Sequence, residues 1–133
     1  MLQILSAYIA STIIFLGLDM VGLKFIVKPV FDRHISDLYA DPFRMGPAAV
    51  FYLAYVAGAV FLVSLPALRA DAPVQALING AVLGALAYGT YEFTSLAVMR
   101  DWSWEQVITD TLWGTVLTGV SLWLGVLVAR LFD

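Results

Sequence analysis

The chain contains no cysteine and only one histidine, His34, among its 133 residues. Disulfides, thiolate nucleophiles and cysteine-ligated metals are therefore excluded, and one copy cannot assemble a multi-histidine metal or haem site. Charge is scarce too. Asp, Glu, Lys and Arg make up 13% of the residues, against about 25% in a soluble domain. The net charge of −3 leaves no basic surface for a nucleic acid. There is no nucleophile elbow, no phosphate-cradling glycine loop and no Ser-His-Asp set. The first apolar run lacks the basic n-region and clear cleavage site of a signal peptide, so it reads as a retained helix.

Apolar sequence is abundant instead. Hydrophobic residues make up 62% of the chain, and the mean hydropathy is +0.90. A bilayer-spanning helix needs roughly 20 apolar residues, so four spans and short connections use the whole length. The expected fold is all-α: a polytopic membrane protein whose single transmembrane domain, 1–133, is a four-helix bundle. The helices are expected at about 2–23, 47–68, 74–99 and 106–130, by apolar run length. Between the first two, Val30, Phe31, Ile35, Leu38 and Tyr39 alternate with polar residues at the spacing of a short amphipathic helix on the membrane surface. The alternative is that helix one continues beyond a kink at Pro29.

Local signals mark the ends. Pro47 suits a first helical position. Ser103 and Gln106 have capping-box spacing, and Trp102 and Trp104 suit the headgroup region. Gly80 and Gly84 form a GxxxG pair, and Ala54 and Gly58 a weaker small-residue pair, both read as helix-packing positions. Four spans place both termini on one side. Lys24, Lys28, Arg33, Arg44 and Arg100 fall at the opposite side, against Arg69 and Arg130, which the positive-inside rule makes cytoplasmic.

Three carboxylates interrupt the apolar helices, and charges there are costly. At 1.5 Å per residue, Asp19 lies about 7.5 Å inside Lys24 and Asp110 about 7.5 Å inside Glu105. Glu92 lies about 12 Å inside Arg100 and Tyr52 about 7.5 Å inside Pro47. All four fall in the cytoplasmic half, with Tyr55, Tyr88, Tyr91, Thr94 and Trp113 near the same layer. The functional reading is a cytoplasm-facing pocket whose carboxylates titrate as a coupled group and carry a proton, bind a small ligand or serve as acid and base. The structural reading is that the carboxylates hydrogen-bond nearby Tyr and Thr groups and lock the helices together. Three carboxylates without histidine make a redox metal an unlikely fit, and no metal or cofactor is expected.

The stretch YGTYEFTSLAVMRDWSWEQVITDTLWGTVLTG resembles a family of small predicted bacterial inner-membrane proteins catalogued as a domain of unknown function. The family pattern is Tyr-Gly-x-Tyr-Asp, Thr-Asn, a Trp-containing turn and Asp-x-x-Trp-Gly. Tyr88, Gly89, Tyr91, Thr94, Trp102, Asp110, Trp113 and Gly114 fit it, and the resemblance extends to LDMVGLKF and AAVFYLAYVAG. Glu92 stands where the pattern has Asp, Ser95 where it has Asn, and Gly22 where it has a bulkier residue. The resemblance implies a four-helix protein of the bacterial inner membrane and no established activity. Three functions stay open: binding or moving a small ligand or proton, acid–base modification of lipid with a headgroup as substrate, and service as an accessory subunit of another membrane protein. All three have the lipid bilayer as surroundings.

Overall fold

Pro29 and Pro66 interrupt helical sequence, each lacking a backbone N–H and crowding the carbonyl four residues back. In the computed structural model, which describes residues 1–132, the chain accommodates both in the same way. Helix α1 (Leu2–Gly22) passes through a π-turn at Leu23–Val27 into α2 (Lys28–Ile35). Helix α3 (Met45–Ala59) passes through a π-turn at Val60–Ser64 into α4 (Leu65–Arg69). Each π-turn closes on the residue just before the proline, with Lys28 N–H donating to the Leu23 carbonyl and Leu65 N–H to the Val60 carbonyl. A one-residue widening of the turn thus keeps the helix going where a proline would break it.

The short surface helix expected between the first two spans is corrected by this continuity. Residues 28–35 are helical, but they extend α1 and end in a 3₁₀ turn at Ser36–Leu38. The buried stripe of α1 runs through Ala7, Ser11, Phe15, Asp19 and Gly22, and resumes at Val27, Val30 and Ile35. The extra residue in the π-turn keeps that stripe facing the same neighbours. An apolar face at helical spacing looks alike whether it covers lipid or protein, and here Val30 and Ile35 are buried in the protein.

Helices α5 (Pro73–Val98) and α6 (Trp104–Ala129) form an antiparallel hairpin, and a 3₁₀ turn at Arg130–Phe132 follows. Among the described residues three helical stretches are long and apolar enough to cross a membrane: Leu2–Leu38, Met45–Arg69 and Trp104–Phe132. Helix α5 has 26 residues, a length of about 39 Å, but it is less apolar, carrying Gln75, Asn79 and Glu92. The turn into α5 is a Schellman motif. Ala72 N–H donates to the Ala67 carbonyl and Asp71 N–H to Leu68, with Asp71 left-handed at φ 50°. The Asp71 side chain pairs with Arg130 at 3.0 Å, tying this turn to the end of α6. The capping box of α6 forms, with Ser103 Oγ accepting from Gln106 N–H and Gln106 Oε1 accepting from Ser103 N–H.

Small residues set how closely α5 and α6 approach. A Cβ added at Gly84 would lie 2.2 Å from the Gly114 carbonyl oxygen, and one at Gly80 would lie 3.0 Å from the Gly119 Cα. Helix α1 meets α6 as closely, for a Cβ on Gly125 would strike Ser11 Oγ at 2.0 Å. Ala54 and Gly58, by contrast, are exposed, and nothing lies within 4 Å of a Cβ on Gly58. That pair joins no helices, because α3 presents it outward. Gly84→Ala is therefore expected to destabilise the protein by about 1–3 kcal/mol through overpacking. Gly58→Ala should stay within about 0.5 kcal/mol of the parent, with thermal unfolding in detergent as the measurement.

Candidate functional site

Among the described residues, the three buried acidic side chains all lie toward one end of the bundle. Asp19 is 4% exposed, Asp110 7% and Glu92 fully buried. The other buried polar side chains are Ser11, Ser64, Gln106, Thr118 and Ser121. Helix register brings Glu92 and Asp110 together. Gly84 sits opposite Gly114; Glu92 is eight residues beyond the first and Asp110 four before the second, or about 12 and 6 Å up the hairpin. Helical side chains lean toward their own N-terminus. In an antiparallel pair Glu92 leans down and Asp110 leans up, so the register turns their carboxyl groups toward each other across the α5–α6 seam. The longer Glu arm suits this gap.

Two tryptophans hold the carboxylates from outside. Trp102, in the α5–α6 turn, donates from Nε1 to Glu92 Oε1 at 2.9 Å. Its ring is clamped edge-on between Phe31 of α2, with centroids 5.4 Å apart, and Tyr91, at 5.6 Å. Glu92 Oε2 has no N–H or O–H donor, and the Gln106 Nε2 amide nearby in sequence to Asp110 is also buried without a partner. Trp113 donates from Nε1 to Asp19 Oδ1 at 3.1 Å. The Tyr52 hydroxyl is turned toward the same carboxylate. The Trp113 indole fits only because residue 22 is glycine: a Cβ there would lie 2.1 Å from the ring. Tyr88 likewise packs on Gly114, where a Cβ would meet the ring at 2.1 Å.

The remaining candidate residues divide between this cluster and its rim. Tyr55 hydrogen-bonds the Thr118 hydroxyl at 3.0 Å, stacks on Phe51, and meets Phe15 at a tilt and Tyr88 edge-on. Tyr91 is more than half exposed and meets the Trp102 ring edge-on at the rim of the cluster. Thr94 is exposed and lies outside it. Gly80 and Gly84 lie at the α5–α6 seam. Sequence reading placed Trp102 in the headgroup belt and gave Gln106 only a capping role. The signal for Trp102 was its position ten residues after Glu92 across a tight turn, but only the fold aims its N–H inward.

Outside the cluster, α2 is fastened to the start of α6. Glu105 receives Arg33 on one oxygen, and His34 Nε2 lies 3.0 Å from the other. Two hollows flank the site. One of about 170 Å³ is lined by Ile35, Leu38, Met99, Arg100, Asp101 and Trp102. The other, an open groove of about 330 Å³, is lined by Ile26, Thr109, Leu112, Trp113 and Val116 and is almost wholly apolar. Neither is lined by Asp19, Glu92 or Asp110, so each carboxylate lies behind an indole or within the helix seam. Among the described residues no group of His, Asp and Glu is arranged to hold a metal ion.

Comparison with known families places the chain at this point. A family described as "Predicted membrane protein (DUF2177)" matches residues 4–127. The chain belongs to that family. Among curated proteins and among solved structures nothing matches. Membership agrees with the three apolar helices and makes the protein a membrane protein, and it assigns no activity to the carboxyl cluster.

Asp19, Trp113 and Gly22 form one contact chain whose coupling is measurable. Gly22→Ala should push the indole off Asp19, and Trp113→Phe should remove the donor directly. Both are expected to lower the melting temperature in detergent. The double variant should lose less than the sum of the two, with a coupling of about 0.5–3 kcal/mol; strict additivity would show that Gly22 acts elsewhere.

Proposed function

We propose that this protein is a four-span protein of the bacterial inner membrane, with α5 as the less apolar span and both termini outside, that binds a proton in the Glu92–Asp110 pair. The observation that carries this reading is the burial of two carboxyl groups turned toward each other across the α5–α6 seam. Two carboxyl groups can share a hydrogen bond only when at least one of them holds a proton, so the pair suits a bound proton better than none. Among the described residues no Lys or Arg forms an ion pair with either partner. The groups that bear on the pair are Asp19 from α1, Tyr52 from α3, Tyr88 and Tyr91 from α5, and Trp102 from the turn.

This favours proton binding over acid–base work on a lipid headgroup. The lipid-facing groove beside Trp113 is apolar and stops at the indole, which suits an acyl chain and gives a headgroup no carboxylate to meet. It also disfavours a through-channel for ions. The far half of α1 buries only Ala7, Ser11 and Phe15, none of which ionises. The role most consistent with these features is a membrane protein that takes up and returns a proton at its cytoplasmic end, alone or as the subunit of a larger complex.

Infrared difference spectroscopy of the protein in lipid tests this across a pH titration. The carbonyl stretch of a protonated carboxyl group should be present at neutral pH, and Glu92→Gln and Asp110→Asn should each abolish or shift it. Asp37→Asn, on the exposed 3₁₀ turn, should leave it unchanged. A spectrum without that band, or one indifferent to both substitutions, would overturn the reading.

A further inference from the structure

A proton bound at Glu92 must reach a fully buried oxygen. The hollow of about 170 Å³ at the end of the bundle offers the approach, since Arg100 and Asp101 contribute to its walls and it has room for several waters. It lies between the end of the α1–α2 helix, at Ile35 and Leu38, and the α5–α6 turn, at Met99 to Trp102. Trp102 belongs to both places: its ring lines the hollow while its Nε1 holds Glu92 Oε1. Its ring is fixed by Phe31 and Tyr91. Phe31 in turn is fixed because its neighbours Arg33 and His34 bind Glu105 at the start of α6.

We propose that the hollow is an aqueous vestibule to Glu92 and that Trp102 is the positioning residue that closes it, its indole barring water while its N–H orients the carboxyl group. The proposal rests on the reading of Glu92 as a proton-binding group only for its purpose; the route itself is a matter of geometry. It makes α2 the clamp on the plug. It also explains why the helix continues past Pro29, because a chain that turned away there would leave the Trp102 ring open on one side. The other approach, from the apolar groove, meets Trp113, whose Nε1 holds Asp19, and does not touch Glu92.

The absence of native cysteine makes the route directly testable. Glu92→Cys is made alone and with Trp102→Ala, Trp102→Phe or Glu105→Gln, in protein reconstituted into vesicles. Each is treated with a charged, membrane-impermeant thiosulfonate and with a neutral, permeant maleimide. With Trp102 intact, the charged reagent should react slowly. Trp102→Ala should speed it at least tenfold, and Trp102→Phe, which keeps a ring on the clamp, should restore most of the protection. Glu105→Gln, which releases α2 without touching Trp102, should give an intermediate gain and covers the case in which Trp102→Ala does not fold. Equal rates for the charged reagent in all variants that fold would overturn the vestibule. So would a gain confined to the permeant reagent, which would place access on the lipid side. Because cysteine labelling does not depend on Glu92 being protonated, failure here is distinct from an infrared result that removes the proton.

Discussion

The structure depends on how closely α5 and α6 can approach. Where Gly84 meets the Gly114 carbonyl and Gly80 meets Gly119 there is no space for a single methyl group. Helices that touch through backbone gain dispersion contact and a fixed register together, which matters inside a bilayer, where lipid is as apolar as leucine and burial alone drives no association. The register is what carries function here. One helical turn of slip between the two helices would move a side chain by about 5.4 Å and part Glu92 from Asp110. The same device recurs between α1 and α6, where Gly125 admits Ser11 and Gly22 admits Trp113.

Much of this was legible one residue at a time, and the reasons differ. The apolar runs announced the helices, whose expected limits of 74–99 and 106–130 stand beside Pro73–Val98 and Trp104–Ala129. The α6 cap was legible because a capping box is local, needing only Ser103 and Gln106 three positions apart. The GxxxG pair of α5 was visible as a pattern, but its partners Gly114 and Gly119 are spaced five apart and match no motif. Ala54 and Gly58 show the converse, for a small-residue pattern holds no information about which way it faces. The course of α2 was not legible because proline is read as a break, while the π-turns that absorb Pro29 and Pro66 have no sequence signature of their own.

The tryptophans illustrate a further limit. An indole near a membrane surface has an apolar body and one donor, so Trp102 and Trp113 satisfy the interface rule whichever way they point. Depth along the helices groups Asp19, Tyr52, Glu92 and Asp110 at one end, yet depth is a one-dimensional coordinate. It could not divide them into an Asp19–Trp113–Tyr52 side and a Glu92–Asp110–Trp102 side. That division depends on the rotation of each helix, which follows from where the glycines are.

The absence of a basic partner is the strongest argument that the buried carboxylates are more than fasteners. Breaking a buried charge pair costs several kcal/mol, and a neutral, well-packed replacement is often as stable as the pair itself. Asn or Gln at these positions would keep hydrogen bonds to Trp102 and Trp113 geometrically possible while removing the desolvation cost of a carboxylate. Basic residues lie at the same end of the bundle, yet Lys28 pairs with Asp32 and Arg33 with Glu105 on the surface. Around the three buried acids stand the indole donors of Trp102 and Trp113 and the unpartnered Gln106 amide, and no ion pair to a Lys or Arg is formed among the described residues. For such a set the proton is the neutralising ion we propose: it needs no coordination shell, and the hairpin register that the glycines impose turns Glu92 and Asp110 toward each other.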